Sequence, residues 1–393
     1  MEKNFKFMKS VSILFILGTV LSSVHSISHN FCRTNNEVSI NIYHQLIKFQ
    51  NGNFVFGIFP VDALLALTYL GTEGDVANQI KSAFAWNVSD DQIKLEFQEA
   101  VQELQQLPHC EIRLNNRFYI PNRLDLNPKF VEIASHFDTN IVKMDFSSAK
   151  QAVENINHWV SSRTHNKIGN FLNEKLVTAK TVAVSVNNLF FSSKWLHAFD
   201  KRETKKMDFH LSSQETVQVD MMKISGYFEV FRHPTLKIKN VKIPFENERV
   251  YMVIMLSDDI DGVDSIAKNA RENWYDRNFT SEFITLYVPK FEIASTIDII
   301  PSLKNMGITK LFSEKISGIA KEPVKISVVT QKIQINVNER GTDIDDSPIA
   351  EKQATKKHEN SKEEGEIFNV NHPFVFGILY DDFSLIFGRI NKI

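Results

Sequence analysis

Lys356 and Lys357 stand side by side in residues 351–366 (EKQATKKHENSKEEGE), a stretch with nine formal charges and no large apolar side chain. A lysine on an extended polar segment offers one kind of chemistry by itself: it can fill the acidic specificity pocket of a trypsin-like protease and so act as bait. The same composition also describes a plain solvated insertion. Other chemistry-bearing residues are dispersed. No G-x-S-x-G elbow, H-E-x-x-H helix, Walker loop or G-x-G-x-x-G turn occurs, which leaves a hydrolase without its nucleophile motif. The 12 histidines are scattered, and His158, His165 and His197 do not pair at metal-ligand spacing. Lys201, Arg202, Lys205 and Lys206 flank Glu203 and read as a solvated face before a polyanion site. No metal or cofactor is expected.

Two asparagines, Asn87 in Asn87-Val88-Ser89 and Asn278 in Asn278-Phe279-Thr280, form glycosylation tripeptides, which matter only in an exported chain. Cys32 and Cys110 are the 2 cysteines, enough for one bridge or two free thiols and too few for a disulfide framework or a Cys-rich zinc module. Export is expected. Lys3, Lys6 and Lys9 precede an apolar run over 11–21, and Val24-His25-Ser26 offers a cleavage site, so residues 1–26 read as a signal peptide. That run is too short to span a bilayer. The mature chain, 27–393, would carry 42 basic and 46 acidic residues, a balance that advertises neither a nucleic-acid nor a membrane partner.

The elements that would position such a bait are those of an α+β protein. With 393 residues, 43% of them hydrophobic, the chain can bury a large core, and 31 phenylalanines against 14 glycines point away from repeats and glycine-rich phosphate loops. From 27 to about 170 the pattern is mostly helical, as in Ile40-Tyr43-Ile47, Ala63-Leu67-Leu70 and Ala100-Leu104-Leu107. Strands follow at 182–191, 237–244, 250–256, 283–288 and 326–337, and a hairpin at 374–379 and 383–387 turns around Tyr380-Asp381-Asp382. Helices early and strands late argue against a doubly wound parallel sheet. Nothing cuts the chain into two domains.

A series of short motifs in fixed order resembles the serpin superfamily over the whole mature chain. It runs from Gly71-Thr72-Glu73-Gly74 through Val186-Asn187-Asn188-Leu189-Phe190-Phe191 with Trp195 and Phe199, to Tyr287-Val288-Pro289-Lys290-Phe291 and Leu303-Lys304-Asn305-Met306-Gly307 with Phe312. Val337-Asn338-Glu339-Arg340-Gly341-Thr342, Phe368-Asn369 with His372-Pro373-Phe374, and Phe387-Gly388-Arg389 close it. Within the superfamily the chain drifts toward the insect accessory-gland members. The resemblance implies a single domain of about nine helices and three sheets with an exposed reactive loop at about 341–367. It also implies a monomeric, extracellular inhibitor of a serine protease: the protease cuts the loop, and the freed arm inserts as a new strand before the acyl-enzyme hydrolyses. Family spacing from Gly341 puts the cut between Thr355 and Lys356, whereas counting back from Phe368 puts it near Asn360, so the loop is longer than usual.

Two regions depart from the family pattern. Glu339, Arg340, Gly341 and Thr342 form the hinge, but Asp343-Ile344-Asp345-Asp346-Ser347-Pro348 replaces a run of small residues. Strand alternation from Thr342 would turn Asp346 and Pro348 inward, which hinders insertion. In the shutter, serine-proline-x-serine becomes Gly57-Ile58-Phe59-Pro60 and a histidine becomes Gln331, and only Asn187 remains; Trp195 belongs to the region where the loop first inserts. Gln331 can compensate by offering both a donor and an acceptor. These departures keep open a non-inhibitory relative, a binding or signalling protein, or a protease substrate.

Overall fold

Helix α1 (His29–Leu46) begins where the Ser28 hydroxyl accepts the Phe31 N–H, satisfying one of the donors a helix start leaves orphaned. Ser89 does the same for α4 (Asp90–Gln105), and Asn127 for α5 (Pro128–His136). In α2 (Phe59–Leu70), Pro60 stands in the first turn, where its missing N–H costs nothing. Nearly every α2 side chain is buried, as an apolar helix through the middle of a core must be. With α3 (Gly74–Ala83), α6 (Ala149–Arg163), α7 (Val263–Lys268), α8 (Ile300–Asn305) and α9 (Lys310–Ser313), nine α-helices lie among the described residues. The structure, a computed structural model, describes residues 27–178, 181, 183–271, 278–344 and 365–393. The leader 1–26 and Asp346, Pro348, Thr355, Lys356 and Lys357 fall outside these. No described helix is long and apolar enough to cross a membrane.

Strands are numbered in chain order. The larger sheet runs β1 (Phe54–Gly57), β15 (Phe383–Ile390), β14 (Phe374–Tyr380), β8 (Val250–Ser257), β7 (Ile238–Pro244), β6 (Glu215–Arg232), β9 (Thr280–Pro289) and β13 (Glu366–Asn369), with β5 (Lys205–Ser212) also on β6. The expected β14–β15 hairpin turns at Asp381, which takes a left-handed φ of 48°. The second sheet runs β10 (Phe291–Asp298), β11 (Val328–Asn338), β12 (Gly341–Thr342), β4 (Val184–Lys194), β2 (Cys110–Pro121) and β3 (Thr139–Met144).

One expectation is corrected. Two sheets, not three, are present among the described residues, because β6 is a continuous 18-residue strand. Its ladder with β9 runs unbroken from Met221↔Pro289 to Val230↔Thr280 and fuses two sheets into one. The first part is mostly helical, carrying α1 to α6, and it also contains β1, β2 and β3. The 12-residue β2 hides because Arg113, Asn115, Asn116 and Arg117 interrupt its apolar residues, yet Asn115 and Asn116 are buried between neighbouring strands. Of the two states left open for the cysteines, the free one is present: Cys32 lies in α1 and Cys110 begins β2.

The phenylalanine excess goes into the core. Phe31 meets Phe97 edge-on at 4.8 Å, Phe59 stacks on Phe97 at 5.8 Å, and Phe383 closes on Phe59 at 5.3 Å, tying α1, α2, α4 and β15 together. A smaller core, including Tyr119, Ile156, Phe171, Val184 and Val186, lies between α6 and the other face of the second sheet.

Candidate functional site: a slot in the second sheet

Strands β4 and β11 are parallel neighbours, but they pair directly only at one end, Val328–Gln331 against Val184–Asn187. At the other end the chain turns back after β11, and β12 sits between them antiparallel to both, with Thr342 opposite Ser193 and Val337. Between these ends, residues 188–192 and 332–336 face each other with no strand between them among the described residues. Unpaired ladder groups inside a sheet are a template for one more strand.

The upper end is built around the hinge. Trp195 is buried, stacks on Phe245 at 4.5 Å, and donates its indole N–H to Asn338 O at 2.9 Å and its backbone N–H to Arg340 O at 2.9 Å. Glu339 is 3% exposed, pairs with Lys290 at 2.9 Å and accepts from the Thr204 hydroxyl at 2.9 Å. The turn before Gly341 is therefore held by an ion pair whose carboxylate is buried and whose ammonium is part-exposed. Gly341 is required by close approach, since a Cβ there would lie 2.1 Å from Ser193 O.

Next comes Thr342, 0% exposed, with a hydroxyl that finds no partner. The inward direction expected for Thr342 holds, but the alternation does not continue. Asp343 takes a left-handed φ of 54°, which ends the strand after two residues, and Ile344 is only half-buried. The Asp343 backbone N–H goes to Asn336 O at 2.8 Å, and the Asn338 side chain donates to Ile344 O at 2.9 Å.

The lower end is closed by a side-chain clamp. Gln331, 1% exposed, accepts from Gly57 N–H at 2.8 Å and donates to Gly57 O at 2.7 Å, so one amide satisfies both polar groups of one peptide position under the sheet. Gln331 thus offers a donor and an acceptor at once, both to Gly57. Gly57 leaves room for it: a Cβ would lie 2.6 Å from Ile333 Cδ1. Asn187 pairs with Gln331 along the ladder, but its amide turns to Ser185 Oγ at 3.3 Å. Pro60 stands apart, in the first turn of α2.

Three residues of the site escaped the sequence reading. One step above the clamp, Asn188 donates across the slot to Lys332 O at 2.7 Å and accepts from Asn115 at 3.3 Å. The Lys332 ammonium donates to the Gly169 carbonyl and reaches Asn170 O at 3.4 Å, and burial pushes its pKa down. Together they latch β4, β11 and the segment after α6. Their visible signal was Asn187-Asn188 in an otherwise apolar strand.

The remaining candidates are not drawn together. Asn87 and Asn278 are exposed on separate surfaces. Burial raises the Cys32 thiol to about 12, and Cys110 bonds Ser193 Oγ at 3.3 Å. In the basic run, Arg202 pairs with Asp200 and Lys206 with Asp220. His165 meets Glu111 at 3.2 Å, and no group of three or more potential metal ligands occurs among the described residues. Thr355, Lys356, Lys357, Asp346 and Pro348 are outside the described residues.

Comparison with known proteins agrees with this geometry. The family model described as serpin (serine protease inhibitor) matches residues 33–393. Antitrypsin of Bombyx mori is 25% identical over 97% of this chain and 99% of its own length, and antichymotrypsin-2 of the same species is 26% identical over 93% and 99%. The crystal structure of Serpin48 of Tenebrio molitor, described as a highly specific serpin, superposes with a TM-score of 0.85 at 27% identity, covering 94% of this chain and all of that one. The chain belongs to the serpin family.

Proposed function

We propose that this serpin is a secreted inhibitor of a trypsin-like serine protease, acting as a suicide substrate. The observation that carries the reading is the slot with Gly341 and Thr342 already seated at its top, antiparallel to both neighbours. The protease cuts the loop at or near Thr355–Lys356–Lys357, and the freed arm continues from Thr342 down the slot. Each ladder hydrogen bond formed there contributes roughly 0.5–1.5 kcal/mol. The chain supplies no catalytic group; it wins by moving the acyl-enzyme before water reaches it. The exposure of Asn87 and Asn278 fits glycosylation on an exported chain, which would begin near Ile27 and act as a monomer.

A second reading is favoured by the register itself. Continued from Thr342↔Ser193 and Thr342↔Val337, the inserted strand puts Ile344 between Phe191 and Ile335, Asp346 between Leu189 and Ile333, and Pro348 between Asn187 and Gln331. Leu189 and Ile333 are 1% and 0% exposed. Burying the Asp346 carboxyl there costs several kcal/mol, as much as a few ladder bonds give back, and Pro348 has no N–H to offer. Insertion then slows and hydrolysis competes, giving a cleaved substrate. Mixing the mature protein with trypsin separates the readings: an SDS-stable complex near one-to-one stoichiometry marks the inhibitor, and cleavage in the loop without complex marks the substrate. No cleavage between 345 and 364 overturns both.

A further inference from the structure

Two asparagines in one connection differ in a way that decides their chemistry. The chain leaves α1 at Leu46, runs through 47–53 and enters β1 at Phe54. Asn53 is half-buried and its side chain is held. The oxygen accepts the backbone N–H groups of Asn391 and Lys392 at 2.7 and 3.0 Å, and the amide nitrogen donates to Lys392 O at 2.5 Å. A bulky residue, Phe54, follows it. Asn51 is exposed, and neither its side-chain amide nor the N–H of Gly52 has a partner among the described residues. It also heads the only Asn-Gly pair in the 393 residues. Glycine has no side chain to shield its own nitrogen or to restrict the backbone. A Cβ at 52 would meet nothing within 4 Å, so no neighbour covers that side of the connection either.

Asparagine amides are among the thermolabile side chains, and an unheld one beside an unshielded backbone nitrogen is an electrophile within reach of a nucleophile. Once solvent base takes its proton, the Gly52 nitrogen attacks Asn51 Cγ. The new N–Cγ bond closes a five-membered imide, the Cγ–Nδ2 bond breaks, and Nδ2 leaves with a proton as ammonia. Water then opens the imide at either carbonyl and returns a proton to the Gly52 nitrogen. Attack at Cγ leaves aspartate, and attack at the backbone carbonyl carbon leaves isoaspartate. One amide and one water become one carboxylic acid and one ammonia, with nothing oxidised or reduced. We infer that Asn51 is a site of spontaneous deamidation and isomerisation, with water as the only co-reactant. The position is also part of a clasp, since Asn51 O accepts from Asn391 Nδ2 at 3.0 Å. In isoaspartate the main chain runs through the former side chain, one atom longer, and the carbonyl that Asn391 holds becomes a free carboxylate. The hold of 51–53 on Asn391 and Lys392 then loses its spacing where β1 begins to pair with β15, Phe54 opposite Arg389. Isomerisation thereby loosens this edge of the larger sheet.

The test ages the folded full mature chain in mildly alkaline buffer and follows every asparagine by peptide chromatography with mass spectrometry. Position 51 is expected to convert at least tenfold faster than any other described asparagine, and to give both aspartate and isoaspartate, because direct hydrolysis of the amide would give aspartate alone. Gly52→Ala, for which the connection has room, should slow the conversion at least tenfold while melting like the parent. Asn51→Asp supplies the charge without the longer backbone. In amide exchange the isomerised parent should open at 389–392 at least fivefold faster than either fresh parent or Asn51→Asp. Conversion at Asn51 no faster than at Asn53, aspartate without isoaspartate, or a Gly52→Ala chain that ages as fast as the parent each overturns the site. Exchange at 389–392 that is alike in isomerised and fresh parent overturns the loosening of the edge.

Discussion

The two ends of the slot are held by opposite means. At the top a short wedge of backbone, Gly341–Thr342, lies between the strands, and the ion pair of buried Glu339 with part-exposed Lys290 and the Trp195 indole anchor the turn behind it. At the bottom no wedge is present; β4 and β11 pair directly, and the Gln331 amide grips the backbone of Gly57 beneath them. The top is therefore prepared to take more chain, whereas the bottom must first let go of bonds already made. For the insertion proposed above, the barrier then falls into two separable parts: what the arm brings in, and what the Gln331 clamp gives up.

The largest effect is expected from the arm. Replacing Asp346 and Pro348 together by Ala removes the carboxyl destined for the Leu189–Ile333 row and restores a ladder N–H opposite Asn187 and Gln331. The yield of covalent complex should rise several-fold. The cleaved form should melt about 5–10 °C higher than cleaved parent, since several kcal/mol spread over a chain this long moves the midpoint by that much. SDS gels and calorimetry after cleavage near Lys356 measure both. A parent that already forms complex at one-to-one stoichiometry contradicts the register argument. Lys356→Ala and Lys357→Ala locate the cut.

Next is the shutter. Gln331→Ala deletes two hydrogen bonds and leaves the buried peptide groups of Gly57 unpaired, a loss of about 2–4 kcal/mol. The uncleaved protein should then melt about 3–5 °C lower, and should open between β4 and β11 faster in amide exchange. Unchanged exchange at residues 184–187 would show that the clamp does not hold the lower end.

Behind that end lies a titrating group. Asp62, in the first turn of α2, is 3% exposed; Asn35 donates to one oxygen at 3.0 Å and the other has no partner. Desolvation raises its pKa well above the usual carboxylate value, and the Asn35 bond opposes this only in part. Because the folded pKa exceeds the unfolded value of about 3.9, the folded state holds the proton more tightly. Stability from this group is greatest below that unfolded value and is lost as pH rises toward the folded pKa. Denaturant midpoints of Asp62→Asn against parent between pH 4 and 8 should show the variant losing less stability as pH rises. A parent whose stability rises across that window as steeply as the variant's contradicts the assignment.

What the sequence disclosed, and what it hid, follows the same division. Gly57, Gln331, Gly341 and Thr342 were singled out because local motifs in order mark them, and Gln331 was expected to offer a donor and an acceptor, but not that both would go to Gly57. The left-handed backbone of Asp343 and the bonds of Asn188 and Lys332 were not foreseen, since a left-handed aspartate and an amide spanning two strands are decided by neighbours some 140 to 150 residues away in sequence: Ser192 meets Asp343, and Asn188 meets Lys332. The fusion of two sheets through β6 was hidden for a similar reason. Alternation says that a strand exists, but only its partners, β5, β7 and β9, say where one sheet ends.

The smallest expected effect concerns the wedge. The Thr342 hydroxyl is fully buried and unpartnered, between Ser193 and Val337, so it pays desolvation without a hydrogen bond in return. Thr342→Val keeps the branched shape and replaces that oxygen with a methyl group, which should stabilise the uncleaved protein by about 1 kcal/mol, or about 1 °C in melting temperature. Because the wedge keeps the same neighbours in the inserted arm, the gain should appear equally before and after cleavage. A gain confined to the cleaved form would mean that Thr342 is not yet seated in the uncleaved protein, and the two ends of the slot would then be closed alike.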